Sequence, residues 1–319
     1  MLVLSHADLV GLLAPPDLVA AVEAACRVDE REVLTPKRQH YEWQGNTWLT
    51  MPSLGTELAG VKLVSVVSAN AARGLPVTNG VMVLSDGATG QPLALLNAAA
   101  LTAVRTGAVG ALGVQHMTPA DTRTAGVIGC GVQGAWQAIC AAAVRPIAEI
   151  FCVARSAVSL ERFSATVRQH AAQLRITACN DARELLARTD VVIASTTSSE
   201  PVLPDEPGLL EGKHFISVGS YRPSMQELPD AVYQLAGHIV IDSPAAREEV
   251  GDVIAPLQRG LVRAEDVFLI GELVTGRRSI DPARTSAYKT VGRALYDLFT
   301  ARALYEQARA RGVGREVPL

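Results

Sequence analysis

Residues 124–142 read TAGVIGCGVQGAWQAICAA, and this stretch decides the fold class that we predict. A short apolar strand leads into three spaced glycines and then an apolar helix, which is the G-x-G-x-x-G pattern in a strand–turn–helix context. The first glycine allows a tight turn, the second a close approach to a pyrophosphate, and the third close helix–strand packing. A glycine-rich turn without a ligand is the alternative, which the strand–helix alternation beyond it disfavours. The candidate cofactor contacts here are Gly129, Gly131, Val132, Gln133 and Gly134.

The residues after the next predicted strand indicate which nicotinamide cofactor the protein prefers. Glu149–Val153 is followed by Ala154, Arg155 and Ser156, where NAD-specific folds usually place an acidic residue. A carboxylate there would repel a 2′-phosphate, whereas Arg155 and Ser156 can bind one. The sequence therefore favours NADPH over NADH. An ordinary solvent-exposed arginine is the alternative interpretation of Arg155.

The surrounding periodicity predicts an α/β protein. From 124 to 242, apolar strands alternate with helical stretches, which predicts a parallel sheet covered on both faces. Before it, a helix over 6–30, strand-like runs over 46–96 and a helix over 98–113 form a second pattern. A last helix, Tyr288–Arg309, is expected to pack back onto the N-terminal domain. We predict a Rossmann-type doubly wound parallel sheet (114–289) inserted in a second α+β substrate-binding and dimerisation domain (1–113 plus 290–319).

Composition narrows the class of protein. The 319 residues carry a net charge of −3, so no basic excess is available for nucleic acid. Five scattered cysteines without a CxxC motif and six scattered histidines predict neither a disulfide framework nor a metal site. The N-terminus lacks a basic region, and no apolar run is long enough for a bilayer. We expect a cytoplasmic, metal-free protein that binds no membrane.

Two cations lie in apolar segments of the predicted first domain. Lys62 lies in GVKLV and Arg105 in LTAVRTGA. Such side chains are rarely buried unless they are paired. Each is either extending its charged end to water or placed to meet an anionic ligand.

The same segments carry a family resemblance. MPS (51–53), GVKLVS (60–65) and the long run 74–113, followed by the glycine loop, resemble the ornithine cyclodeaminase/mu-crystallin family. The resemblance continues through VGSYRP (218–223), EVGD (249–252), IGEL (270–273) and KTVG (289–292). It implies a Rossmann domain inserted in a substrate domain that also forms a homodimer. It also implies catalysis on α-amino or α-imino acids with a bound nicotinamide cofactor.

The resemblance assigns roles to residues of the first domain. Arg38 and Arg105 would hold the substrate carboxylate, Lys62 would be the catalytic lysine, and Thr78 would line the substrate pocket. Planar guanidinium groups suit a carboxylate and fix the reacting carbon. A partly desolvated lysine beside two arginines should have a lowered pKa and exchange protons near neutral pH.

In the cofactor domain, three further residues are assigned. Thr196 and Thr197 end a strand and should flank the nicotinamide ribose, with a strand-end cap as the alternative. Gly292 would let the C-terminal helix approach the nicotinamide ring.

One position separates branches of the family. Cyclodeaminases carry an aspartate after the glycine pair that Gly219-Ser220 replaces, and our alignment of the motif puts Tyr221 there. Tyr221 would be a polar wall or a donor, or else a packing residue. We therefore favour reduction of Δ1-pyrroline-2-carboxylate or Δ1-piperideine-2-carboxylate to L-proline or L-pipecolate. The alternatives are ornithine cyclodeamination with catalytic NAD, an amino-acid dehydrogenase of the alanine type, and a non-enzymatic cofactor-binding protein.

Overall fold

The computed structural model describes residues 1–29 and 31–318. Its contacts divide the chain into two compact units, one formed by Met1–Arg105 with Arg293–Leu319 and the other by Thr106–Gly292. The first unit is therefore built from both ends of the chain. The domain boundaries at 113/114 and 289/290, with the roles assigned to each part, stay a prediction.

The first unit begins with short elements and continues into an antiparallel meander. Its elements up to the start of the second unit are β1 (Leu2–Leu4), α1 (His6–Leu9), α2 (Pro15–Arg27), β2 (Val33–Leu34), β3 (Gln39–Trp43), β4 (Asn46–Gly55), β5 (Leu58–Val66), a 3₁₀ turn (Ser68–Arg73), β6 (Thr78–Asp86), β7 (Pro92–Asn97) and α3 (Ala98–Met117). α3 runs from the first unit into the second.

The second unit alternates strands and helices. Its elements are β8 (Thr124–Ile128), α4 (Val132–Val144), β9 (Glu149–Val153), α5 (Ala157–His170), β10 (Arg175–Ala178), α6 (Ala182–Leu186), β11 (Val191–Ala194), α7 (Pro207–Leu210), β12 (His214–Ser217), α8 (Asp230–Ala236), β13 (Ile239–Ile241), α9 (Ala246–Glu249), α10 (Gly251–Gln258), a 3₁₀ turn (Ala264–Asp266), β14 (Val267–Leu269), α11 (Ile270–Val274) and β15 (Ser286–Lys289). The chain then returns to the first unit through α12 (Ala294–Arg311) and β16 (Arg315–Glu316).

The sheet of the first unit is mixed. Over the described residues its order is β16-β1-β7-β6-β5-β4-β2, with β3 paired to β4. β1 pairs with β7 in parallel, and β4 to β7 form an antiparallel meander. One face of β5 and β6 buries Val64, Met82 and Leu84, and both strands contact α12. The helix from the chain's end thus covers the sheet from its beginning.

The opposite face of this sheet is apolar and exposed. Residue alternation and register place eight side chains there, on strands β2 to β6. They are Leu34, Tyr41, Trp43, Trp48, Leu54, Val61, Leu63 and Val81.

The sheet of the second unit is parallel throughout. Its order in the described part of the chain is β10-β9-β8-β11-β12-β15-β13-β14. The order reverses at β8, because β9 and β10 lie on one side of it and β11 on the other. Open α/β sheets bind their ligands at the carboxyl ends of the strands beside such a reversal. The predicted α/β class with a doubly wound parallel sheet is confirmed.

Two predicted helices are wrong in their bounds. The stretch 6–30 forms two helices, α1 and α2, because the chain turns at residues 10–14 before Pro15 and Pro16 start the second one. Tyr288 lies in strand β15, between β12 and β13, and not in the last helix. A four-residue strand without an apolar run does not show in the periodicity. α12 begins only at Ala294.

Candidate active site

Lys62 lies at the centre of the first unit's meander. On β5 it faces Met51 of β4 and Met82 of β6, on the buried side of the sheet. Its side chain is 2% exposed, so its charged end does not reach water. A buried ammonium group requires a partner.

Asp297 is that partner, and it also binds Arg105. Its Oδ2 lies 2.7 Å from Lys62 Nζ, and its Oδ1 accepts a hydrogen bond of 2.8 Å from Arg105 Nε. The carboxylate is fully buried, in the first turn of α12, where the helix dipole stabilises a negative charge. Lys62 Nζ also donates to Thr102 Oγ1 at 3.3 Å. We call Lys62, Asp297 and Arg105 the buried ion triad.

The pKa values within the triad follow from burial and charge. Burial lowers the pKa of Lys62 to about 8, with the opposing charge of Asp297 raising it and Arg105 lowering it further. Burial alone would raise the pKa of Asp297, but Arg105 and Lys62 outweigh burial, so the pKa of Asp297 falls below its ordinary value. At neutral pH Asp297 is therefore ionised and Lys62 mostly protonated.

Two further predicted substrate residues lie in the same unit. Arg38, just before β3, is partly buried, and its charge helps to lower the pKa of Lys62. Thr78 is the first residue of β6, on the same face of the sheet as Lys62. The structure thus groups Arg38, Lys62 and Arg105 electrostatically. Thr78 lies on the strand next to that of Lys62 and pairs there with Val66.

Asp297 was missed by the sequence analysis. An acidic residue in a surface helix usually lies on the solvent-exposed face, so Asp297 alone gives no sign of burial. The available signal was its position in the apolar stretch ALYDLF (294–299), three residues into the helix. An acid in that position, in a chain with two unexplained cations, could have been paired with them.

The glycine loop of the second unit fits a dinucleotide. Gly129 adopts φ +102, and a Cβ on it would overlap the backbone oxygen of Ser195. A Cβ on Gly134 would overlap the oxygen of Gly129, so helix α4 packs directly on the loop. Nothing lies within 4 Å of a Cβ on Gly131, and that residue caps α4 without a side-chain hydrogen bond.

An unsatisfied atom supports the same fit. Gln133 Oε1 is buried and has no hydrogen-bond partner among the described residues. Val132, beside it, is 66% exposed although it is apolar. A loop with open space and uncapped amides suits a bound phosphate. The unpaired amide oxygen suits a hydroxyl donor of the same ligand and not its phosphate, because phosphate oxygens only accept hydrogen bonds.

The residues after β9 are accessible. Arg155 and Ser156 are exposed. Ser156 caps α5: its Oγ accepts from the backbone N–H of Ser159. No acidic side chain lies between Val153 and Ser159.

The remaining predicted cofactor residues and the predicted catalytic Tyr221 lie beyond the carboxyl ends of neighbouring strands. Thr196 follows β11, and its hydroxyl donates to Glu227 Oε1 at 2.8 Å, while Thr197 is exposed. Tyr221 follows β12 and is 49% exposed, with the Arg222 guanidinium 5.3 Å from its ring centre. Gly292 follows β15, and its N–H donates to Asp242 Oδ2 at 2.7 Å.

Two kinds of feature are absent from residues 1–29 and 31–318. No group of three His, Cys, Asp or Glu side chains could hold a metal ion. No helix in that part of the chain is long and apolar enough to cross a membrane.

Known relatives match the chain over its whole length. A Δ1-pyrroline-2-carboxylate reductase of Bacillus cereus is 33% identical, with 99% of both chains covered. A Δ1-pyrroline-2-carboxylate/Δ1-piperideine-2-carboxylate reductase of Azospirillum brasilense is 34% identical, covering 98% of this chain and 97% of its own.

Solved structures agree with these relatives. The Δ1-pyrroline-2-carboxylate reductase of Thermococcus litoralis, in complex with NADH and L-proline, gives a TM-score of 0.91 at 30% identity, covering 99% of this chain and 100% of that one. An archaeal alanine dehydrogenase dimer with bound NAD gives a TM-score of 0.89 at 26% identity, covering 100% of this chain and 99% of that one.

Fold, site and relatives together define an NAD(P)-dependent oxidoreductase that acts on C–N bonds. Residues 2–312 match the model of the ornithine cyclodeaminase/mu-crystallin family, and the chain belongs to that family. The resemblance seen in the sequence is therefore confirmed.

The triad predicts a large stability loss in Asp297→Asn. Removing the carboxylate leaves Lys62 and Arg105 as neighbouring buried cations, and breaking a buried pair costs about 3–5 kcal/mol. We expect that decrease in the free energy of unfolding, measured by urea denaturation at neutral pH.

Glu306→Gln is the matched control on the same helix. Glu306 pairs with Arg302 at 2.8 Å, but both side chains are well exposed. Its loss should cost less than about 1 kcal/mol. Equal losses in the two variants would contradict the buried ion triad.

Proposed function

We propose that the chain reduces a cyclic α-imino acid, Δ1-pyrroline-2-carboxylate or Δ1-piperideine-2-carboxylate, to L-proline or L-pipecolate. The reductant is NAD(P)H, with NADPH preferred. The proposal is supported by the buried ion triad and by relatives whose names carry these substrates.

The charge balance of the triad carries the proposal. Two cations share one carboxylate, so the cluster holds one excess positive charge in a buried setting, and Arg38 adds to the positive potential. An uncompensated buried charge is costly, and a substrate carboxylate would neutralise it. Arg105 donates to Asp297 through Nε, and its two terminal nitrogens donate no hydrogen bond to any other described residue. Those nitrogens suit a carboxylate.

Lys62 is the candidate proton holder. A C=N carbon accepts a hydride more readily when the nitrogen is protonated, and a lysine whose pKa is about 8 is mostly an ammonium at neutral pH. The bound dinucleotide would supply the hydride. Asp297 holds the Lys62 ammonium in place, and Arg105 and Arg38 would orient the imino acid through its carboxylate.

The cofactor would be held by the glycine loop and by the strand ends. Gly129, Gly131 and Gly134 with the amides of Val132 and Gln133 would contact the pyrophosphate. Thr196, Thr197 and Gly292 would lie along the nicotinamide side. Exposed Arg155 and Ser156, without a nearby acid, support binding of a 2′-phosphate.

Cyclodeamination of ornithine is the second candidate. Tyr221 stands where we expect a cyclodeaminase to carry an aspartate, so no carboxylate is offered at that position to the distal amine. An alanine dehydrogenase is the third, supported by the archaeal alanine dehydrogenase structure that resembles this chain. Retention of Arg38, Lys62 and Arg105 together favours an enzyme over a binding protein.

We also propose a homodimer formed by the first unit. The exposed face of its sheet carries eight large apolar side chains on neighbouring strands, and such patches usually mark an interface. The alanine dehydrogenase that resembles this chain is a dimer. We propose that the protein is located in the cytoplasm, because the five cysteines form no disulfide among the described residues.

The function is tested with NADPH and each of the two cyclic imino acids. We expect stoichiometric loss of the reduced-nicotinamide absorbance with proline or pipecolate as product. A parallel reaction with ornithine and NAD should release no ammonia. Ammonia and proline formed from ornithine without NAD consumption would instead establish the cyclodeaminase, and our interpretation of Tyr221 would be wrong.

The same assay has a pH readout for Lys62. Only the protonated form of Lys62 can donate the proton that keeps the imine nitrogen protonated. The value of kcat/KM should therefore fall as the pH rises through about 8. Asp297→Asn removes the charge that raises this pKa, so the decline should begin at lower pH. The substrate's own titration is common to both proteins. Coincident pH profiles would exclude this role of Lys62.

Arg155→Ala tests the cofactor preference. Loss of a charge-assisted bond to a 2′-phosphate should raise KM for NADPH about tenfold or more and leave KM for NADH nearly unchanged. Arg162→Ala, an exposed arginine on α5, is the control and should change neither. Equal effects of Arg155→Ala on both cofactors would refute the preference.

The dimer is tested by light scattering. The purified chain should have about twice its 33.7 kDa mass. Leu63→Lys puts a charge on the exposed apolar face and should give monomers, whereas Val158→Lys, at an exposed position of α5, should leave the dimer intact. A monomeric unsubstituted chain would contradict the proposal.

A further inference from the structure

Glu227 is a fully buried carboxylate between β12 and α8 that no step above uses. It accepts five hydrogen bonds from the two neighbouring strand ends of β11 and β12. A carboxylate that accepts this many bonds has its acceptor sites nearly filled by the protein itself.

The bonds to β11 end on one oxygen. Glu227 Oε1 accepts from the backbone N–H of Thr196 at 2.7 Å and from its hydroxyl at 2.8 Å. Thr196 is two residues beyond β11, where the chain leaves the sheet. The carboxylate therefore fixes both the backbone and the rotamer of this residue.

The bonds to β12 end on the other oxygen. Glu227 Oε2 accepts from the backbone N–H of Gly219 at 2.6 Å and of Ser220 at 3.2 Å, and from Ser217 Oγ at 2.9 Å. A Cβ on Gly219 would overlap the backbone of Thr196, so the two strand ends approach as closely as a glycine permits.

A second buried carboxylate holds Glu227 in place. Asp252 accepts from the backbone N–H of Glu227 at 3.0 Å and of Leu228 at 3.1 Å, and from the Tyr233 hydroxyl at 2.6 Å. Lys289 Nζ lies 3.9 Å from Asp252 and donates to Ser217 Oγ at 3.0 Å, which brings a positive charge to the two acids. The network joins the ends of β11, β12 and β15.

We propose that Glu227 is a positioning residue for the dinucleotide, fixing the strand-end loops of Thr196 and Gly219-Ser220 in the shape that binds the cofactor. This inference rests on the cofactor binding proposed above. The loops lie at the carboxyl edge of a parallel sheet beside its order reversal, where such folds bind ligands. Because one carboxylate holds both loops, its loss releases both together.

A buried polar pair at the opposite edge of the same sheet provides the comparison. His214 Nδ1 and Ser286 Oγ lie 2.8 Å apart at the amino ends of β12 and β15. Both side chains are buried, so Ser286→Ala also removes a buried hydrogen bond between neighbouring strands. This hydrogen bond lies at the amino ends of the strands, opposite the carboxyl ends where we propose that the cofactor binds.

The test is a measurement of NADPH and NADH binding by fluorescence titration, in the absence of any imino acid. Glu227→Gln replaces one acceptor oxygen with an amide that cannot accept the N–H groups. It should raise Kd for both cofactors about tenfold or more. Ser286→Ala should leave both Kd values unchanged at a comparable loss of melting temperature. Thr196→Val, which removes one of the five bonds, should give a smaller rise.

Hydrogen exchange of the cofactor-free proteins gives a second readout. The amides of Thr196, Gly219 and Ser220 should exchange slowly in the unsubstituted chain and fast in Glu227→Gln, with no change in Ser286→Ala. Unchanged Kd values in folded Glu227→Gln would overturn the inference while leaving the reductase proposal intact. Tight cofactor binding without imine reduction would refute only the reductase. A chain that binds neither cofactor would overturn both.

Discussion

The ion pairs of Asp297 with Lys62 and Arg105 join the two ends of the chain in the first unit. Asp297 belongs to the returning segment, whereas Lys62 and Arg105 belong to the N-terminal segment. Neither cation could be buried alone, and an isolated carboxylate inside the unit would be equally unfavourable. The discontinuous unit therefore holds a polar centre that exists only when both segments are present.

The same interaction limits the chemistry that this centre can perform. One carboxylate between two cations keeps Lys62 charged at neutral pH but leaves its pKa, about 8, near the range in which a proton is exchanged. Apolar side chains in place of Lys62, Asp297 and Arg105 could pack equally well, yet they would offer neither a positive charge nor a proton. This cost in stability supports the anion-binding and proton-transfer roles that we propose for the triad.

The sequence predicted the features that local patterns determine. The glycine loop, the alternating strands of the second unit and the cations of the first are visible because spacing and periodicity report them directly. Asp297 and strand β15 are not visible in this way. A buried acid in a helix and a four-residue parallel strand acquire their meaning from partners far away in the chain, namely Lys62 and Arg105 in one case and β12 and β13 in the other.

Glu227 shows the same limit in the second unit. The glycine loop belongs to a local pattern that residues 124–142 already show, whereas the loops after β11 and β12 take their shape from a carboxylate that follows them. Buried charge is costly, so a chain that retains Glu227, Asp252 and Lys289 next to one another gains something that apolar packing would not provide. Filling the acceptor sites of Glu227 with N–H groups from two strand ends leaves those ends little freedom before any ligand arrives. A binding edge prepared in this way loses less conformational entropy when the dinucleotide binds.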